Sequence, residues 1–523
     1  ERTVVFKYSP DSFKLGLYVG LMSGILVLLG LGYWVWRRFY GETAETSTVR
    51  RIAKNSLTPM ATQVLNKVVD AAFAIFLLRF LGPSNFGNYA FAVVFIGYFS
   101  LFTDFGLGTL LTREVARDKA QANRYLSNSI MVRLGLSLAS TPLLIGLVML
   151  YRWKFGLASD ASVAILLFAV SLIPSAFASA LSSVFIAHER MEYPAAVTVI
   201  TTLVKASLGI IVLLAGWGIV GLAGVSIFAS TVTAIVLYMM VAKTFFKPTP
   251  DMDFSFQKGM IATSAPLMIN NFLSTIFFRV DMMLLQPIKG SRSVGYYGTA
   301  YKFIDALNII PSFFTLAIFP VMSRYAESAR DTLARAYCLS LKALLIVSLP
   351  ITVGTTLIAG KLIPLLFGSE YAPSIVALQI LIWFLPFSYV NSVTQYVIIA
   401  LNRQRFLTFA FLIGASFNLL TNLAVIPYWG INGAAVVTII SEIILLIPFL
   451  YVVMKELGRI PLLQLAWRPT LAALVMGAVL FPLRQLNLLI IIILGAVIYL
   501  AVLVALRTFD EQDMAIMRAL RAR

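Results

Sequence analysis

Ala187-His188-Glu189-Arg190 runs on to Gly216-Trp217-Gly218-Ile219-Val220-Gly221-Leu222-Ala223. About 212 residues later, Ala400-Leu401-Asn402-Arg403 runs on to Tyr428-Trp429-Gly430-Ile431-Asn432-Gly433-Ala434-Ala435. The chain therefore repeats itself internally. A second pair agrees at nearly the same offset: Gly87-Asn88-Tyr89-Ala90 and Gly295-Tyr296-Tyr297-Gly298, each opening a hydrophobic stretch. Two membrane lobes with a site between them is the plan of many transporters. A receptor or an anchored enzyme has no need of that symmetry.

The setting of the repeat is decided by composition. Of 523 residues, 60% are hydrophobic and 12% charged, and the mean hydropathy is +0.89. No soluble fold of this size has so little polar surface. Apolar runs recur along the whole length, so the fold class is an all-α polytopic membrane protein. The net charge of +18 would suggest nucleic acid in a soluble protein. Here the charges lie mainly in short loops, where they set topology and meet anionic lipid headgroups, and no nucleic-acid partner is expected. Cys338 is the only cysteine and His188 the only histidine. An intrachain disulfide, a CxxC metal site and a histidine proton relay are thereby excluded.

Hydropathy predicts one extra span near 15–36 and fourteen core spans. These lie near 58–81, 86–110, 128–151, 161–186, 195–216, 219–241, 260–285, 295–320, 338–359, 372–400, 406–427, 431–454, 469–484 and 487–506. The division expected is an extra N-terminal segment and cytoplasmic linker over 1–49, an N-terminal lobe over 50–241 and an inter-lobe linker over 242–259. A C-terminal lobe over 260–454 follows, then two further helices and a tail over 455–523. Each lobe has six helices. With 37–57 cytoplasmic, roughly 25 basic residues fall inside and about 9 outside, which places both ends of the core in the cytoplasm of a cell-membrane protein. An even number of spans separates the matched motifs, so the pseudo-twofold axis runs along the membrane normal. The Gly-Trp-Gly and Tyr-Trp-Gly segments read as outer hairpin turns, with tryptophan at headgroup level.

Ionisable groups within spans cost about 2.5–3.5 kcal/mol each on insertion scales, so they face a wet cavity or a partner. The first span carries Lys67, Asp70 and Arg79, the second ends near Asp104, and the fifth carries Lys205. Arg279 and Asp281 lie in the seventh, Lys302 and Asp305 in the eighth, and Glu442 in the twelfth. Lys67/Asp70 and Lys302/Asp305 are i, i+3 pairs that share a helix face and can neutralise one another. Arg79 can reach the headgroups. Arg279 and Asp281 point about 200° apart, so one of them needs a different partner. Two readings stand side by side. In one, Lys67, Arg279 and Lys302 bind an anionic headgroup in a cavity between the lobes, with Asp70, Asp281, Asp305 and Glu442 as cavity or coupling carboxylates. In the other, these are structural ion pairs. Arginine suits phosphate because its planar fork donates two parallel hydrogen bonds. Span amides such as Asn66, Asn270, Asn391, Asn418 and Asn422 read as interhelical hydrogen bonders. Tyr296/Tyr297 read as interface anchors.

No GxxxxGK[ST], HExxH or GxSxG occurs, so ATP use through a P-loop, zinc chemistry and serine hydrolysis are unsupported. No catalytic residue, metal site or cofactor is expected, and the chain reads as a transporter rather than an enzyme. Energy must come from an ion gradient, the membrane potential or the substrate gradient.

The stretch Arg51-Ile52-Ala53-Lys54-Asn55-Ser56, then Leu78-Arg79-Phe80-Leu81-Gly82-Pro83-Ser84-Asn85-Phe86-Gly87-Asn88-Tyr89-Ala90, resembles the opening of the polysaccharide-transport (O-antigen flippase-like) family. So does Asp104-Phe105-Gly106-Leu107-Gly108 through Arg113-Glu114-Val115-Ala116-Arg117. Arg279-Val280-Asp281 and Gly295-Tyr296-Tyr297 are similar to it as well. That family belongs to the superfamily of multidrug, oligosaccharidyl-lipid and polysaccharide exporters, and the resemblance covers about 50–510. It implies a two-lobed, V-shaped transporter of twelve or fourteen spans that flips a polyprenyl-diphosphate-linked oligosaccharide to the outer leaflet by alternating access. A basic cavity would hold diphosphate and sugar while the lipid tail stays in the bilayer. The partners implied are that substrate, membrane lipids, and a glycan polymerase or glycosyltransferase.

The N-terminus departs from this pattern. Tyr8-Ser9-Pro10-Asp11-Ser12-Phe13-Lys14-Leu15-Gly16 and the span after it resemble the last helix of a bacterial multispan glycosyltransferase-like membrane protein. A fusion, or a truncated product of one, would explain this, and an uncleaved signal anchor is the alternative. Arg37 and Arg38 put Glu1 outside in either case. Three rival functions stay open, one of them a lipid scramblase or non-transporting assembly scaffold, which charges inside an internal cavity disfavour. A cation-coupled multidrug exporter of the same superfamily would want an acidic, aromatic cavity. A membrane glycosyltransferase or polymerase component would need catalytic carboxylates in sizeable outer loops.

Overall fold

The computed structural model describes residues 48–508, with side chains from 62 onward; the extra span expected near 15–36 and the tail beyond 508 lie outside the described residues. All regular structure among the described residues is helical. In chain order the helices are α1 (Thr48–Asp104), α2 (Leu107–Arg117), α3 (Ala122–Phe155), α4 (Ser159–Ala187), α5 (Glu192–Leu214), α6 (Gly218–Thr244), α7 (Phe254–Lys289) and α8 (Ser291–Leu307). Then come α9 (Ile309–Ser328), α10 (Arg330–Phe367), α11 (Ser374–Leu381), α12 (Phe384–Ala400), α13 (Arg405–Leu457), α14 (Leu462–Leu480) and α15 (Leu488–Ala505).

Among the described residues, eleven stretches are long and apolar enough to cross a membrane, and α11 with α12, bent by 41°, make a twelfth. Two of the twelve are too long for one crossing. A straight helix of 53–57 residues would run about 80–86 Å against a hydrocarbon core of roughly 30 Å. Helix α1 breaks at Gly82 (φ 69°, ψ 172°) and α13 at Gly430 (φ 55°, ψ −134°). Each supplies two spans, so all fourteen expected core spans have a helical counterpart.

The repeat is visible in the packing. A Cβ on Gly209 of α5 would stand 2.7 Å from the Phe73 ring of α1, and one on Gly414 of α13 would stand 2.8 Å from the Phe277 ring of α7. Gly221 closes in the same way on Val212 (2.1 Å), and Gly433 on Val425 (2.6 Å). Matched glycines thus let matched helices approach at the same places in both halves. The hairpin tips beside them leave Trp217 and Trp429 exposed, as expected of turns at headgroup level.

At the end of the bundle holding Gly82 and Gly290, the two glycine motifs of the second repeat pack on each other. A Cβ on Gly87 would stand 1.7 Å from the Ser291 carbonyl oxygen, and one on Gly295 would stand 1.9 Å from that of Pro83. Ser291 Oγ donates to Asn88 Oδ1 at 2.6 Å, and Tyr371 donates to Leu78 O at 2.8 Å. Arg79, exposed at this end, ties the halves together: Nε donates to Leu366 O at 2.8 Å, and Nη2 to Leu365 O. The helix C-terminus it meets offers unpaired carbonyls, which a guanidinium satisfies better than lipid does.

The opposite end holds the linker. Its non-helical part is 245–253, shorter than the expected 242–259 because Asp253 caps α7 by accepting from Phe256 N at 3.0 Å. That backbone bond and the Arg124 guanidinium, 2.8 Å away, hold the Asp253 carboxyl below its ordinary range. Asn123 and Ser127 of α3 bind Thr249 and Asp251 beside it.

Candidate functional site

Of the seven ionisable residues offered from the sequence as cavity or coupling groups, five converge midway along the bundle. Lys302 and Asp305 share a face of α8, as i, i+3 spacing requires. Asp305 does not pair with Lys302, though. Its ion pair is with Arg279 of the neighbouring α7, Nη2 to Oδ1 at 2.9 Å. In-helix spacing shows which groups share a face; the α7–α8 hairpin brings in a stronger, planar partner from outside the helix. The Arg279 guanidinium also lies 4.8 Å from the Tyr301 ring centroid, a cation–π contact. Among the described residues its other N–H groups have no hydrogen-bond partner, and the side chain is one-third exposed.

Lys302 lies within electrostatic reach of Asp305, Arg279, Asp70 and Lys67. Helix α1 therefore faces α8 with Lys67 and Asp70. Lys205 of α5 is in reach of Asp70 in turn. Lys67, Asp70, Lys205 and Lys302 are all exposed at the helix surfaces they occupy. Four cations face two carboxylates, an excess of two positive charges. Such a cluster in a low-dielectric surround favours a dianionic group strongly.

The other two residues lie elsewhere. Asp281 is buried in the seam between α7, α8 and α13, accepting from Tyr297 Oη at 2.5 Å, Met282 N at 2.7 Å and Thr438 Oγ1 at 3.5 Å. It is the member of the Arg279/Asp281 pair that finds a different partner. Tyr297, expected as an interface anchor, is fully buried as that partner; only Tyr296 stays partly open, edge-on to Tyr371. Glu442 is buried in α13 beside Asn391 and Ser388 of α12.

Arg133 is absent from the sequence-predicted set. It is 1% exposed, pairs with Asp104 at 2.6 Å and donates to Ala176 O at 2.8 Å. An arginine inside the third span is the same signal that flagged the others. It holds the junction between α1 and α2 rather than facing the cluster. Three of the span amides bond between helices: Asn391 donates to Glu442 O (2.9 Å), Asn418 to Ser441 (3.1 Å), and Asn270 accepts from Thr408 (3.3 Å). Asn422 instead donates to Asn418 one turn earlier on its own helix (2.8 Å), and Asn66 Oδ1 has no partner among the described residues.

Residues 52–326 match the family described as Polysaccharide biosynthesis protein, and residues 266–424 match MatE. The chain is 23% identical over 404 residues to the probable flippase AglR of Haloferax volcanii, covering 75% of this chain and 81% of that one. It is 24% identical over 328 residues to a putative O-antigen transporter of Shigella flexneri, covering 61% and 78%. Among solved structures, the lipid II flippase MurJ in an inward closed conformation superposes with a TM-score of 0.72 at 17% identity, covering 85% of this chain and 98% of that one. An inward-facing multidrug-resistance transporter of the MATE family superposes with a TM-score of 0.59 at 18% identity, covering 77% and 98%. These two likenesses show the fold.

Proposed function

The chain belongs to the polysaccharide biosynthesis protein family, and on that premise we propose that it flips a polyprenyl-diphosphate-linked oligosaccharide across the cytoplasmic membrane by alternating access. The observation that carries this reading is the cationic cluster of Lys67, Lys205, Arg279 and Lys302, set against Asp70 and Asp305. Its excess of two positive charges complements a diphosphate. Arg279 offers a planar fork to phosphate oxygens, and Lys67 and Lys302 add mobile point charges from the facing helices. The lipid tail needs no protein partner, because bilayer hydrocarbon solvates it.

In this reading the Gly82 end faces outward and is closed by the Gly87–Ser291 contact. The linker end, rich in arginine, faces the cytoplasm. The halves are the lobes 50–241 and 260–454. A membrane-bound glycosyltransferase would load the cytoplasmic leaflet, and a polymerase would consume the flipped product. Relatives that are transporters, and a longest non-helical stretch of 245–253 among the described residues, support transport over catalysis. The MatE match favours one second reading, export of small organic cations. That function calls for an acidic cavity, and this cluster is basic.

Binding of a short-chain polyprenyl diphosphate to the purified protein tests the assignment. Arg279→Ala and Lys302→Ala should each weaken it at least about tenfold, the loss of one charge-assisted bond of about 1.5–3 kcal/mol. Removing one phosphate from the ligand should weaken it similarly. Equal affinity for the diphosphate in wild type and both variants would sink the cavity assignment.

A further inference from the structure

Glu442 does not belong to the cationic cluster and is 1% exposed. The Asn391 amide and the Ser388 hydroxyl lie within hydrogen-bonding reach of its carboxyl, and no cation does. Two buried acceptors there have no donor: Glu442 Oε2 and Asn391 Oδ1. One N–H of Asn391 Nδ2 is used on the Glu442 backbone carbonyl, at 2.9 Å, leaving the other for the carboxyl. Two orphan acceptors buried on adjacent side chains are expensive, and so is a buried carboxylate with no cation beside it. A single proton answers both costs. Bound at Oε2, it forms an O–H that donates to an acceptor within the pocket. Its release leaves the carboxylate to the hydroxyl and amide donors alone.

The surroundings give the proton a mechanical consequence. Ser388 Oγ reaches Asn308 Oδ1 at 3.5 Å, and the adjacent Tyr389 donates to Leu307 O at 2.7 Å. Leu307 and Asn308 form the break between α8 and α9, about one turn beyond Asp305 and nearly two beyond Lys302. We propose that Glu442 is a proton-binding site within the second half of the bundle, and that its protonation sets the packing at the Asn308 break that positions Lys302 and Asp305. The coupling to transport rests on the flippase reading; the proton site does not.

The other titratable groups facing this site from the packed elements are accounted for. On α8, Tyr301 senses the Glu442 charge and donates to Phe278 O, and Tyr297 is bound to Asp281. On α7, Arg279 is paired with Asp305 and Asp281 is hydrogen-bonded in its own seam. On α10, Tyr337 bonds Thr394, and on α12, Tyr389 bonds Leu307. Helix α11 has none.

Difference infrared spectroscopy of the lipid-reconstituted protein across a pH titration tests the site. The wild type should show the carbonyl stretch of a protonated carboxylic acid that fades as pH rises. Glu442→Gln should lack it, Glu442→Asp should retain it at a shifted position, and Asn391→Ala should move the titration. No acid band removed by Glu442→Gln, or a band at full strength throughout the titration, overturns the proton site. In proteoliposomes the ratio of flipping rates with and without an imposed pH gradient should exceed one in wild type and fall to one in Glu442→Gln. The same ratio in both overturns the coupling. Absence of any flipping by wild type would count against the flippase reading and leave the infrared result standing.

Discussion

At the residue scale, Arg133 and Arg279 separate two uses of a membrane-buried arginine. Arg133 is closed off, with Asp104 and a backbone carbonyl on its guanidinium; Arg279 keeps a third of its side chain open. Arg133→Met should therefore cost folding rather than ligand affinity. Removing one partner of a buried ion pair costs about 3–5 kcal/mol, and the low end applies because Asp104 is a third exposed and can rehydrate. A lowered unfolding midpoint in detergent, with polyprenyl-diphosphate affinity retained in the folded fraction, is the expected outcome; lost affinity at unchanged stability would move Arg133 into the binding machinery. The charged residues themselves were legible, because an ionisable group in an apolar run stands out. Their partners were not. Asp305 pairs with Arg279 across a hairpin rather than with Lys302 on its own helix, and Tyr297 turns inward to Asp281 although its place near a span end suggested the interface. Both outcomes depend on the rotation of one helix against another, which spacing within a helix does not encode.

At the element scale, the spans and their turns followed from hydropathy and glycine, while breaks without glycine did not. Asn308 interrupts a stretch that reads as one apolar span, and α11 and α12 bend by 41° within another. Each is followed by a proline in the first turn of the next helix, Pro311 and Pro386, a mark that a hydropathy reading passes over. The Gly87–Gly295 crossing is the reverse case: two glycines conspicuous in the repeat prove to be where α1 and α8 touch backbone to backbone. No side chain fits there, so Gly87→Val should hold the Gly82 end apart. With Cys338 replaced, a cysteine at Val94, one turn below Ala90 on the face that meets Gly298, should react slowly with an impermeant thiol reagent from that side. In Gly87→Val it should react many-fold faster. Unchanged labelling would mean that the contact does not close this end.

At the scale of the whole molecule, a symmetric scaffold carries an asymmetric charge pattern. Glycine contacts recur in both halves, at Gly209 and Gly414 and again at Gly221 and Gly433, yet the cluster draws arginine from the second half only and its carboxylates from α1 and α8. Symmetry provides two halves that can rock against each other; asymmetry provides a site with one preferred ligand orientation. This arrangement supports moving an anionic headgroup through the bundle, and the most direct test is transfer of a fluorescent polyprenyl-diphosphate sugar across proteoliposomes. Wild type should transfer it, and Arg279→Ala and Lys302→Ala should lose transfer while remaining folded. No transfer of any lipid-linked sugar by wild type, together with export of small organic cations, would contradict the flippase assignment.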